Sequence, residues 1–169
     1  SGPRGNRDSM ARKAGFRAAL IEATGEREPI VIPGDFSEGS GADAARLLIA
    51  GRLEVDAIFC ANDMMAVGCA GVLKQAGIAI GDGIGIAGFD DIPIAHYADP
   101  GFTTMNVSIA EMGATATDKL IALMSGGTLA EEMTILAPQL VVRESTARAG
   151  ARPKPSNSNI RTVEEGTLA

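Results

Sequence analysis

Residues 57–91 read AIFCANDMMAVGCAGVLKQAGIAIGDGIGIAGFDD, and this stretch decides the fold. Its first five residues are wholly apolar, which suits a parallel strand buried on both faces. Asn62 and Asp63 then open a helix that runs through Gln75 and is stopped by Gly77. A second buried strand follows over 84–88, ahead of Phe89, Asp90 and Asp91.

The same alternation extends in both directions. Residues 9–24 read as a helix, with Ala11, Ala14, Gly15, Ala18, Ile21 and Glu22 at three-to-four spacing and Gly25 closing it. A short strand over 30–32 ends at Pro33 and Gly34. A helix over 40–50 turns Ala45, Leu48 and Ile49 inward and stops at Gly51. Beyond Asp91 come a short helical segment over 93–97 and a strand or extended crossover over 103–106. The clearest helix spans 109–124, with Ile109, Met112, Ala116, Leu120 and Leu123 on one face. Ser108 and Glu111 have capping-box spacing at its start. Strands over 134–136 and 140–142 finish a domain of residues 1–148, and the Pro-, Ser- and Asn-rich tail 149–169 is expected to be disordered. The fold class is α/β: a doubly wound, mostly parallel sheet with helices on both faces.

At 169 residues the chain fits one domain. Aromatics are 4% with no Trp, so the core is built from aliphatic residues and Met. The net charge of −6, with Lys and Arg scattered, disfavours direct nucleic-acid binding by this chain. Cys60 and Cys69 sit among small apolar residues and read as buried free thiols of a reducing, cytoplasmic compartment. Neither a CxxC nor a Cys/His metal spacing occurs. The apolar stretches are too short to span a bilayer, and SGPRGNRD at the start lacks a signal-peptide pattern.

Ligands of such sheets bind outside the carboxyl ends of the strands, which directs attention to Phe36, Asn62–Asp63 and Asp90–Asp91. Asp63 reads as the helix cap, leaving the Asn62 amide at the strand tip to donate to and accept from a polyol or sugar hydroxyl. Asp91 reads as a turn or cap former, with Asp90 pointing into the cleft. Arg12 is either a solvated helix arginine or, if it faces the open end of the sheet, a fork for ligand oxygens. Phe36 is either a core aromatic or a platform for a sugar ring.

Catalytic chemistry finds no support. Adjacent carboxylates point apart and no third ligand stands near, so neither a cation site nor acid–base work is expected of Asp90 and Asp91. Gly83, Gly85 and Gly88 match GxGxxG literally, but they fall inside the strand rather than at a strand-to-helix turn. His96, the single histidine, has no nucleophile beside it. No enzyme, cofactor or metal is expected.

In combination, SGPRGNRDSMARKAGFRAAL, GDFSEGSG, the stretch 55–105, IAEMGATATDKLIALMSGG and LVVRESTA resemble the lactose-repressor-like (LacI/GalR) transcription regulators over most of residues 1–147. The resemblance implies a two-lobed, periplasmic-binding-protein-type effector domain with a sugar or related metabolite between the lobes. In that family's terms Arg12 looks like the gripping arginine of R-x-x-G-[FWY], and Phe36 like the aromatic beside the ligand. Asn62 and Asp90 look like the ligand-facing residues of the AND and FDD motifs. Val107 stands where the family often places a ligand-facing Gln.

The chain then corresponds to the C-terminal lobe, entered just past its first strand, plus the crossover helix of the N-terminal lobe. On that resemblance these residues are expected to include no DNA-binding headpiece, to leave helix 109–124 without its usual partner sheet, and to show weak or absent effector affinity. The implied partners are a small-molecule effector, a second copy in a homodimer, DNA only through a headpiece, and no membrane. A periplasmic sugar-binding protein of an ABC transporter is the alternative; FDDIPIAHYADPGFTT and LVVRESTA favour the regulator. Sugars, nucleosides and small acids would all fit an Arg, an Asn and an Asp.

Overall fold

The two apolar runs at 57–61 and 84–88 pair with each other. A computed structural model describes residues 1–25, 27–51, 53–129 and 133–147. In it β1 (Ala57–Phe59) lies parallel to β2 (Gly85–Ala87), with Ile58 opposite Ile86. A parallel bridge from Ala87 to Thr103 brings β3 (Thr104–Asn106) alongside, and β4 (Gln139–Val141) pairs antiparallel to β3. The doubly wound α/β expectation therefore holds, with one antiparallel edge. The tail 149–169 lies outside the described residues.

Three longer helices precede and link these strands: α1 (Arg7–Thr24), α2 (Glu38–Ala50) and α3 (Asp63–Gln75). Asn6 and Ser37 cap the first two by accepting from the Ser9 and Ser40 N–H groups. Alternation along β1 sends Ile58 to one face and Phe59 to the other. Ile58 joins the core of Ala66, Cys69, Leu73 and Ile86, whereas Phe59 stacks on Phe16 of α1 at 5.1 Å.

α2 and α3 cross at two glycines. A Cβ on Gly41 would collide with the Met65 carbonyl, and one on Gly68 with the Glu38 carbonyl. Backbone therefore meets backbone where side chains would hold the helices apart.

Several expectations need correction. The core face of α1 is Ser9, Arg12, Phe16 and Leu20, while Ala11, Ala14, Gly15 and Ala18 are exposed. Small residues fit either face of a helix, so their spacing misplaced the stripe. Ile49 is exposed beside buried Ala45 and Leu48. Residues 30–32 and 134–136 form no strand. The first faces β1 across a cavity of about 310 Å³, so it has no ladder partner; in the second, Ile135 is 80% exposed. Ser108 makes no capping bond, because it adopts a left-handed φ of 49°.

Beyond the short α4 (Pro93–Tyr97), α5 (Ile109–Met124) buries none of its residues, and Ile109, Met112, Leu120 and Leu123 are all exposed. Its apolar stripe has no partner among the described residues.

A Gly68→Ala substitution is expected to destabilise the chain by about 1–3 kcal/mol, the usual cost of overpacking. Urea denaturation measures it; an unchanged midpoint would contradict the close crossing.

Candidate functional site

The parallel ladder continues past the strand ends. Cys60 N–H donates to the Ala87 carbonyl at 2.8 Å, and Asp63 N–H to that of Phe89 at 2.9 Å. Asp90 N–H donates to the Met105 carbonyl at 3.0 Å. Asn62 and Asp90 thus stand at the tips of neighbouring parallel strands.

Helix α3 is capped by Asn62 rather than Asp63, a correction to the sequence reading. Asn62 Oδ1 accepts from Met65 N–H at 2.9 Å, and its Nδ2 donates to the Phe36 carbonyl at 3.0 Å. Its oxygen is therefore committed to the helix, and it has one further N–H to offer. Asp63, fully buried, turns the other way. Its Oδ1 accepts from Thr104 Oγ1 at 2.6 Å and its Oδ2 from Ile92 N–H at 3.0 Å. Burial pushes the Asp63 carboxyl above its ordinary value, against the bonds from Thr104 and Ile92. A Cβ at position 88 would collide with this carboxylate, which accounts for Gly88.

Arg12 reaches these tips from α1. One guanidinium nitrogen donates to the Ala61 carbonyl at 2.7 Å, and the other lies 3.2 Å from Asp90 Oδ1. The guanidinium sits 3.8 Å over the Phe89 ring and 5.8 Å from that of Phe36, within cation–π reach of both. Arg12 and Asp90 are 18% and 24% exposed, so solvent screens the pair only in part. Burial raises the Asp90 carboxyl and Arg12 opposes it. Phe36 holds a left-handed φ of 72°, and its ring lies so near Gly2 that a Cβ there would strike it.

Arg12, Phe36, Asn62 and Asp90 are thereby brought into one cluster. It offers guanidinium and amide donors, one carboxylate acceptor and two aromatic faces. Among the described residues no group of three or more His, Cys, Asp or Glu could hold a metal ion. None of the helices described is long and apolar enough to cross a membrane. Cys60 and Cys69 are both buried and free.

Sequence reasoning missed Phe89, the platform beneath Arg12, although it directly precedes Asp90. It also missed the Asp63–Thr104 bond, which joins residues far apart in sequence and has no local signal.

Residues 1–146 match the model of the periplasmic binding protein-like domain family. The chain belongs to this family. Relatives of this periplasmic binding protein-like chain are regulators of the lactose-repressor type. It is 33% identical over 146 residues to the HTH-type transcriptional regulator CelR of Thermobifida fusca, covering 86% of this chain and 43% of that protein. It is 35% identical over 147 residues to the ribose operon repressor of Escherichia coli K12, covering 86% and 44%. The chain thus spans less than half the length of these curated relatives.

Among solved structures, the CelR–cellobiose complex superposes with a TM-score of 0.77 at 32% identity, covering 86% of this chain and 45% of that one. The dimeric Lac repressor with an 11-residue C-terminal deletion gives 0.79 at 26% identity, covering 88% and 54%.

Replacing Arg12 by Met removes the cation that opposes burial of Asp90, so the Asp90 carboxyl should titrate higher still. A raised folded-state pKa costs stability as pH climbs through and above the unfolded value, about 3.9 for Asp. The stability deficit of Arg12→Met, which at every pH includes the lost bond to the Ala61 carbonyl, should therefore grow by about 1–2 kcal/mol between pH 3 and pH 7. Urea denaturation at both pH values measures it; a deficit that does not grow would contradict the pairing.

Proposed function

We propose that this chain is the ligand-sensing portion of a lactose-repressor-type transcriptional regulator. Residues 1–148 hold one side of a site for a small hydroxylated effector such as a sugar. The observation that carries this reading is Arg12, held between the Ala61 carbonyl and Asp90 over the Phe89 ring, at the carboxyl ends of two parallel strands.

A hydroxyl-rich ligand matches that chemistry. The Arg12 fork donates to ring or hydroxyl oxygens, and Asp90 accepts from hydroxyls. The remaining Asn62 N–H donates, and Phe36 and Phe89 present apolar faces to a sugar ring. Val107 contributes no polar group where a related site would carry an amide. Effector occupancy shifts a conformational equilibrium of the whole regulator, a homodimer that meets DNA through a separate headpiece. No catalytic role is assigned, and the setting is cytoplasmic. The regulators among its relatives support this over the transporter-component reading.

The test is a ¹H–¹⁵N NMR titration of the chain with a panel of sugars and nucleosides. At least one member at millimolar concentration should shift the Arg12 side-chain N–H, the Asn62 side-chain amide and the Asp90 backbone amide. Arg12→Met should abolish the shifts at Asn62 and Asp90. Absence of any response at these positions across the panel would contradict the site, and micromolar affinity would contradict its one-sided character.

A further inference from the structure

Asp90 and Asp91 are consecutive non-glycine residues with φ of 104° and 53°. Such backbone costs on the order of 1–3 kcal/mol at each residue and persists only where the surroundings over-determine it. What holds this turn lies on β3 and just past β4, the strands by which the chain leaves for α5 and returns.

Asp91 is gripped from both. Its Oδ1 lies 2.7 Å from an Arg143 guanidinium nitrogen, and its Oδ2 accepts from Asn106 Nδ2 at 2.8 Å. Arg143 is itself braced, its other nitrogen donating to the Phe102 carbonyl and its backbone N–H to Thr103 Oγ1, both at 2.8 Å. Asn106 Oδ1 accepts from Ser108 N–H at 2.8 Å, fixing the left-handed residue from which α5 starts. Asp91 and Arg143 are 13% and 15% exposed, so breaking the pair would leave a largely buried charge without its counter-ion. Burial pushes the Asp91 carboxyl up, and Arg143 and Asn106 outweigh it, holding the group below its ordinary value.

We propose that Asp91, Asn106 and Arg143 are positioning residues that hold Asp90 against Arg12 and tie it to both strands carrying α5, so that a change at either end is felt at the other. The inference rests on reading Asp90 as an effector contact. The route is short. Asp91 released from Arg143 lets the strained 90–91 turn relax, and Asp90 swings from the guanidinium; Asn106 released from Asp91 loosens the Ser108 turn. Coupling of this kind is reciprocal.

The experiment uses the whole chain without effector, in Arg143→Met, Arg143→Lys and the milder Asn106→Ala forms. Two signals are read by NMR: the Arg12 side-chain N–H, and hydrogen exchange at the Ser108 and Met112 amides. Both Arg143→Met and Asn106→Ala should move the Arg12 signal and speed exchange about tenfold, within the range for a lost hydrogen bond to a charged group. Arg143→Lys, which keeps the charge, should restore the Arg12 signal at least in part.

A merely structural clamp would alter exchange near α5 and leave Arg12 where it is; that result, or no change in either signal, overturns the proposal. Should Arg143→Met fail to fold, Asn106→Ala decides. Because no effector is present, failure here leaves the sugar-site reading standing, whereas failure of the sugar titration removes the link to effector sensing without altering the Arg12 and exchange signals read here.

Discussion

A carboxylate with no exposed surface holds the two strand tips together. Burying an ionised group costs several kcal/mol unless donors replace the water it loses. Asp63 receives two, the Thr104 hydroxyl and the Ile92 N–H, which add side-chain bonds to the backbone ladder already joining these segments. The start of α3, the turn after β2 and the strand β3 meet at this one side chain. Gly88 is the matching requirement, since no other residue lets the β2 backbone pass so close. The ladder sets Asn62 beside Asp90, and the Asp63 side chain fastens that arrangement to β3 and the turn after β2.

From that constraint the polar cluster follows. With the tips fixed side by side, the Ala61 carbonyl and the Asp90 carboxylate present two acceptors to one guanidinium. Phe89 fills the space beneath it, and Asn62, by capping α3 and holding the Phe36 carbonyl, draws in the second aromatic. The cluster is preorganised by interactions that leave the outward faces of Arg12 and Asp90 partly open. Such an arrangement can both donate to and accept from hydroxyl groups.

The central βαβ unit was legible because its strands are unbroken apolar runs and Gly77 ends its helix. Arg12, Phe36, Asn62 and Asp90 were legible because each follows a strand or lies in a motif that the family resemblance carries. What escaped was decided by distant partners. Whether Asn62 or Asp63 caps α3 depends on Thr104, some forty positions away, which claims the aspartate. Residues 30–32 have strand composition but face a cavity, and composition cannot supply a ladder partner. The stripe of α1 was misread because alanine and glycine carry no directional signal, whereas Phe16 finds Phe59. Ser108 has capping-box spacing, yet a left-handed backbone points its side chain away from that role.

The coupling between Asp63 and Thr104 is the central constraint on the strand tips. A double-mutant cycle with Asp63→Ala and Thr104→Val, read by urea denaturation at pH 7, measures it without reference to any ligand. The predicted result is a coupling energy of about 1–3 kcal/mol, as expected for a buried hydrogen bond to a charged or proton-sharing carboxyl. Additive effects of the two substitutions would contradict the claim that this bond joins the strand tips.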